Sequence, residues 1–279
     1  MAGGPQPFTH AQRMARAEEI AGRVRAHYGA QVLAVGLYGS TARGTDGPYS
    51  DIEIFCVLST AGERVYHEWS AGAWKAEVNA FSADVLLREA GELHEDWPLT
   101  HGAFTQVYSF YDPHGFFPRL KEAVFAHSAA EYRQVMASLV LCEIYERIGK
   151  IRNANAAARW SSAVELAVDL ARQTAFLLGL AHCQLFTSAS AVLEEALRLP
   201  DQPAGFERLC ALVMRGELSD GPAVCAAADA LWEGVEAWAN ARQIDLDTDL
   251  ESVLRGQPGC GSAAAAGSSS GEPRPVNPQ

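Results

Sequence analysis

Val32-Leu33-Ala34-Val35-Gly36-Leu37-Tyr38-Gly39-Ser40, answered ten residues later by Ser50-Asp51-Ile52-Glu53-Ile54-Phe55-Cys56-Val57-Leu58, is the stretch whose reading decides the fold. Two short apolar runs bounded by turn residues read as buried strands. The first is stopped by Gly39. A glycine followed by serine at a strand end lets the backbone approach a phosphate closely and offers it both a main-chain N–H and a hydroxyl. On the second run side chains alternate, so Ile52 and Ile54 point into a core while Asp51 and Glu53 share the other face. Mg²⁺ takes few protein carboxylates and completes its shell with substrate phosphates, which suits such a pair. Glu77, in the next strand-like segment Trp74–Phe81, is a candidate third acid for that face. The arrangement fits phosphoryl or nucleotidyl transfer.

Upstream, Thr9 and Gln12 form a capping-box pattern that opens a helix. Its apolar positions Met14, Ala17, Ile20, Val24 and Tyr28 recur at helical spacing, and Gly29 ends it. From Ser40 to Ser50 the composition reads as a loop. Beyond about Ala129, strand signals give way to Ala- and Leu-rich segments of helical period at 132–152, 161–181, 190–199, 206–215 and 224–242. The expectation is an α+β chain, with an N-terminal mixed-sheet domain over 1–127 and an all-helical C-terminal domain over 128–255. Residues 256–279 read as a disordered Gly/Ala/Ser/Pro tail.

Several function classes are disfavoured. A net charge of −12 over 279 residues argues against nucleic acid, whose phosphates need a basic stripe, and is compatible with a cationic ligand or simply a solvated surface. Six scattered cysteines without a C-x-x-C pair read as reduced thiols. The eight histidines show no H-E-x-x-H spacing for zinc. No G-x-x-x-x-G-K-[ST] loop is present, and Ser40 lacks the G-x-S-x-G frame of a nucleophile elbow. The N-terminus has no signal-peptide pattern, and the longest apolar run, near 175–181, is far too short to span a bilayer, so a cytoplasmic protein without membrane contact is expected.

Gly39-Ser40 with Asp51-x-Glu53 resembles the core motif of the DNA polymerase β-type nucleotidyltransferase superfamily. The longer stretch from Tyr38 to Glu53 is similar to the kanamycin nucleotidyltransferase, or aminoglycoside 4′-O-nucleotidyltransferase, family. So are His67-Glu68-Trp69, Trp74–Asn79, Asp96–Gly102, Gly149–Asn153 and Thr187–Ser190. The resemblance runs from about Thr9 to Asp247. It implies transfer of AMP from ATP to the 4′-hydroxyl of kanamycin- or tobramycin-type antibiotics, with pyrophosphate released and resistance conferred. It further implies that Asp51 and Glu53 hold Mg²⁺, and that Gly39, Ser40, Arg43, Ser50, Thr187 and Ser188 line the nucleotide. Glu146 matches the family's proposed general base and Lys150 its phosphate-contacting lysine. Glu68, Lys75, Glu77, Asp96, His101 and Glu143 are the candidate drug contacts, and a homodimer with sites shared between subunits is implied.

The residues support part of this on their own. Glu143, Glu146, Arg147 and Lys150 fall within about 100° of one helix face at 3.6 residues per turn, on a helix otherwise apolar at Val140, Leu141, Ile144, Tyr145 and Ile148. Such a stripe is either a surface salt-bridge row or the wall of a site. Arg43 has two readings as well, a phosphate contact or a partner for Asp46 across the loop. Trp69, Trp74 and Trp97 read as core or interface aromatics before ligand-stacking ones. The acceptor stays open on the residues alone: another antibiotic, a protein hydroxyl, or no catalysis in a binding module that keeps the fold.

Overall fold

The structure, a computed structural model, describes residues 4–246 and 250–254. The segment read as a tail, 256–279, lies outside the described residues. The chain divides into two compact units. One comprises the described residues up to Ala129 together with His182–Glu195; the other comprises Ala130–Ala181 and the described residues from Ala196 onward.

The first unit opens with the helix His10–Tyr28. Its capping box is made: Thr9 Oγ1 accepts from Gln12 N–H at 3.2 Å, and Thr9 N–H donates to Gln12 Oε1 at 2.9 Å. Gly29, at φ +56°, terminates it. The helix buries Ala17, Ile20 and Ala21 against Val35, Leu37, Ile52, Ile54, Cys56 and Leu58 of the sheet. Each such Leu, Ile or Val contributes about 1.5–3 kcal/mol on burial. The strands are β1 (Val32–Tyr38), β2 (Ile52–Leu58), β3 (Arg64–Ser70), β4 (Lys75–Ser82) and β5 (Tyr108–Tyr111), arranged in the order β3-β4-β2-β1-β5. The sheet is mixed: β2 and β4 run parallel, and the other neighbours antiparallel. On the opposite face Phe55 stacks on Tyr38 and Phe104, with ring centroids 4.0 and 5.8 Å apart. The helices Ala83–Ala90 and Phe116–Val124 cover the rest of that face.

Edge strands β3 and β5 carry no clear apolar alternation. β3 is exposed along almost its whole length, so no buried face marks it in the sequence.

The second unit is helical, with no strand among its described residues. Its first helix runs from Ala129 to Ala156 and widens into a π-helical stretch at Leu139–Ile144. Trp160–Ala181, Phe206–Arg215 and Gly221–Ala241 follow. The helical pattern at 190–199 reduces to the single turn Val192–Ala196. Cys56, Cys210 and Cys225 are buried free thiols and Cys183 an exposed one. Among the described residues no helix is long and apolar enough to cross a membrane.

Candidate active site

The site is built where β1 ends. Gly39 adopts φ +73°, and the chain winds into a helical turn, Gly39–Arg43, where a loop was expected. Gly44 closes the turn at φ +69°, and Thr45 N–H donates to Ser40 O at 3.0 Å. Thr41 Oγ1 donates to the Asp51 carbonyl at 3.3 Å, tying the turn to the acidic strand. Register then places Tyr38 opposite Glu53, and Glu53 beside Glu77. The absence of a side chain at Gly39 is required here. A Cβ would stand 2.6 Å from Glu53 Cδ, on top of the carboxylate.

Glu53 is half-buried. That burial, then the charges of Asp51 and Glu77, push its carboxyl up to about 7, while Arg43 and Lys75 pull it the other way. Glu77 is already engaged: the Tyr38 hydroxyl donates to its carboxylate and accepts from Asn79 Nδ2 at 2.8 Å. Burial, reinforced by Glu77, raises the Tyr38 pKa and keeps that hydroxyl a donor. Among the described residues no set of three or more His, Cys, Asp or Glu side chains gathers into an ion-binding cluster. Asp51 and Glu53, whose mutual repulsion Arg43 and Lys75 only partly offset, fit a small hard cation that draws its remaining ligands from phosphate and water.

The nucleotide candidates come together within the first unit. Arg43 Nη2 donates to the Thr187 carbonyl at 2.8 Å, and its Nε is buried without a hydrogen-bond partner. The alternative pairing of Arg43 with Asp46 is not made. Thr187 is held in turn by the Glu195 carboxylate, which accepts from its hydroxyl and, at 2.9 Å, from its N–H. Ser188 and Ser190 hydroxyls lie 3.0 Å apart. The segment 182–195 is thus docked on the sheet unit, also through Phe186 N–H to Pro98 O at 2.6 Å. Ser50 serves its own loop, its hydroxyl accepting from Gly47 N–H at 3.0 Å.

Of the drug-contact candidates, Lys75 and Glu68 pair at 2.6 Å on the exposed β3–β4 edge, with Glu68 opposite Glu77 in register. A cleft of about 420 Å³ runs beside them, with Asp51, Lys75, Trp74, Tyr49 and Phe8 in its walls. Asp96 and His101 belong elsewhere. Asp96 bonds His94. His101 is 2% exposed, with Nε2 donating to Glu89 O at 3.1 Å and Nδ1 3.0 Å from the Thr100 hydroxyl, so it organises its turn from within. Burial, then the His94 charge, depress His101 to about 4. Trp97 is fully buried, as a core aromatic should be.

In the second unit the expected charged stripe divides into two pairs. Arg147 binds Glu143 at 2.5 Å and also reaches Asp169. Glu146 and Lys150 pair at 2.6 Å in the open. The Lys150 hydrogen bond and charge lower the Glu146 pKa. Tyr145 is 58% exposed, although the sequence pattern put it on the apolar side. The π-helical stretch just before it breaks the 3.6-residue phase on which that assignment rested.

One residue at the site escaped the sequence reading. Arg13 lies on the buried face of the first helix, four residues before Ala17, and is 2% exposed. Its guanidinium donates to the carbonyls of Ser50 (2.9 Å), Gly47 (3.0 Å), Pro48 (3.0 Å) and Phe8 (3.4 Å), and pairs with Asp46. The signal was present: a charge at a position the helical period assigns to the core.

A glycine–serine turn at the end of β1, closed on Glu53 of the mixed sheet with Asp51 just before that strand, is the arrangement of the nucleotidyltransferase class. A nucleotidyltransferase domain model matches residues 17–103, and a KNTase C-terminal domain model matches 114–245. The chain belongs to the aminoglycoside nucleotidyltransferase (4′) family. It is 38% identical over 244 residues to proteins of that name from a Bacillus species and from Staphylococcus aureus, covering 88% of this chain and 96% of each relative. A solved nucleotidyltransferase-like protein from Exiguobacterium sibiricum aligns over 81% of this chain and 75% of its own, with TM-score 0.49 and 12% identity.

Proposed function

We propose that this protein transfers AMP from ATP to the 4′-hydroxyl of kanamycin- and tobramycin-type aminoglycosides, releasing pyrophosphate and conferring resistance. The observation that carries the reaction is the Gly39 turn closed on Glu53, with Asp51 alongside. The acceptor follows from the name shared by the Bacillus and Staphylococcus aureus relatives.

Ser40, Ser50, Arg43 and the Thr187–Ser188 segment receive the triphosphate; the unpartnered Arg43 Nε supports that role. Mg²⁺ held by Asp51 and Glu53 supplies neutralisation of phosphate charge. Glu146 takes the proton from the drug hydroxyl, whose oxygen forms the bond to the α-phosphorus as the bond to the pyrophosphate oxygen breaks. Lys150 contacts phosphate, which withdraws it from Glu146 and leaves the carboxylate free to act as base. Positioning and charge neutralisation carry most of the rate in such transfers. Glu68, Glu77 and Glu143 offer carboxylates to the drug's ammonium groups. The working species is a cytoplasmic homodimer with each site lined by both subunits.

Incubation with ATP, Mg²⁺ and kanamycin or tobramycin, followed by mass spectrometry, tests the proposal. One added AMP is expected on each drug, and no product on any aminoglycoside refutes it. A tobramycin analogue without the 4′-hydroxyl must remain unmodified, and sedimentation velocity checks the dimer.

A further inference from the structure

The loop from Gly44 to Ser50 joins the phosphate-facing turn to Asp51, and its own hydrogen bonds are few. Ser50 N–H reaches Gly47 O at 3.2 Å, and Gly47 N–H reaches the Ser50 hydroxyl at 3.0 Å. What fills its interior is the Arg13 side chain. One planar fork satisfies the carbonyls of Gly47, Pro48 and Ser50, the last directly preceding Asp51, while also gripping Asp46 and the incoming chain at Phe8. The side chains of Arg13 and Asp46 are each 2% exposed. His10 adds a contact to the other Asp46 oxygen at 2.7 Å.

Burying an ion pair is a poor way to gain stability, because desolvation of both ions offsets their attraction. Holding backbone carbonyls in one geometry is a use that an apolar replacement cannot copy. Arg13 is carried by a helix locked to β2 through Ala17 and Ile20, so its position is set by the same packing that sets Glu53.

We infer that Arg13, with Asp46 as its counter-charge, is a positioning residue for the metal-binding acid Asp51. It fixes the Asp51 backbone through the Ser50 carbonyl, so that Asp51 and Glu53 meet the cation together. The inference rests on the nucleotidyl-transfer reading of that pair.

Arg13→Lys keeps the charge but replaces the planar fork with a point donor, which cannot serve all these carbonyls. Arg13→Gln/Asp46→Asn removes both charges together and leaves no unpaired buried ion. Mn²⁺ binding in the presence of ATP, followed by the electron paramagnetic resonance of free Mn²⁺ below each variant's melting temperature, should weaken at least about tenfold in both. The Mg²⁺ concentration for half-maximal rate should rise by a similar factor, the KM for kanamycin should hold, and excess Mg²⁺ should recover kcat. Arg23→Gln, on the exposed side of the same helix, is the control and should match wild type.

Folded variants that bind Mn²⁺ as tightly as wild type overturn the inference. So does an activity loss that only tracks the folded fraction, or loss of the fold in both variants, since Arg13 would then be a folding determinant alone. A wild-type protein that binds no Mn²⁺ with ATP counts instead against the proposed function.

Discussion

Replacing Gly39 with alanine separates backbone strain from displacement of the Glu53 carboxylate, because a matched control lies five residues away. Gly39 and Gly44 have nearly the same backbone angle, φ +73° and +69°. Alanine in the left-handed region costs about 1–2 kcal/mol at either position. Their surroundings differ. At Gly44 an added Cβ meets nothing within 4 Å, whereas at Gly39 it stands 2.6 Å from Glu53 Cδ. Carbon atoms pack at about 3.5–4.0 Å, and Glu53 Oε2 would lie nearer that Cβ than Cδ does, so the Glu53 carboxylate must retreat by more than about 1 Å. Misplacement on that scale costs about 10²-fold in rate, or about 2.7 kcal/mol of transition-state stabilisation. Both variants should therefore melt a few degrees below wild type, and only Gly39→Ala should lose kcat for AMP transfer. Differential scanning fluorimetry and initial rates at saturating ATP, drug and Mg²⁺ supply the two readouts. A Gly39→Ala enzyme no slower than Gly44→Ala would refute the placement of Glu53 against the turn.

Other outcomes follow from the same geometry. Glu146→Gln should retain measurable turnover, since general-base help is worth about 10²–10⁴ in rate; Asp51→Asn should cost more and also weaken Mn²⁺ binding, and an unchanged kcat in Glu146→Gln excludes it as base. Lys150 holds the Glu146 carboxyl below its ordinary value, so Lys150→Met should move the acidic limb of the kcat/KM profile to higher pH; no shift would mean that limb reports another group. His101, at about 4 in the folded protein against about 6.5 unfolded, lets the unfolded chain bind the extra proton between those values, so its contribution is full above pH 6.5 and lost on acidification towards 4. The limit is about 3 kcal/mol at 1.36 kcal/mol per unit. His94, whose burial is outweighed by the Asp96 bond so that its pKa is raised, works the opposite way, stabilising below its unfolded value and losing that as pH rises. Urea midpoints should fall over pH 6.5 to 4, and His101→Gln should flatten that fall; an equal fall in the variant assigns it to other groups.

Much of the local geometry around Gly39 and Glu53 was legible because its signals are local. Gly39-Ser40, the Asp51-x-Glu53 alternation and the Thr9–Gln12 capping box each depend on residues within a few positions, where strand period and cap chemistry act directly. Ile52 and Ile54 are buried as that period demands. Distant partners lay beyond its reach. Arg43, with a phosphate contact or Asp46 as its two readings, donates to the Thr187 carbonyl, 144 residues on. His101 carries the features of a ligand-contacting histidine, but tertiary packing closes it in.

Sequence by itself determined the first helix, β1, β2 and β4 and the nearness in the chain of the Gly39-Ser40 turn to Asp51 and Glu53, because hydrophobic period and turn chemistry are written within one strand length. Tertiary structure decided which charges are spent on the fold. Arg13 and Asp46, 33 residues apart, became a buried clamp on the loop before Asp51, and Glu77 was taken by Tyr38 across the sheet. Long side chains reach across elements whose approach depends on the whole core, so no window of sequence contains both partners.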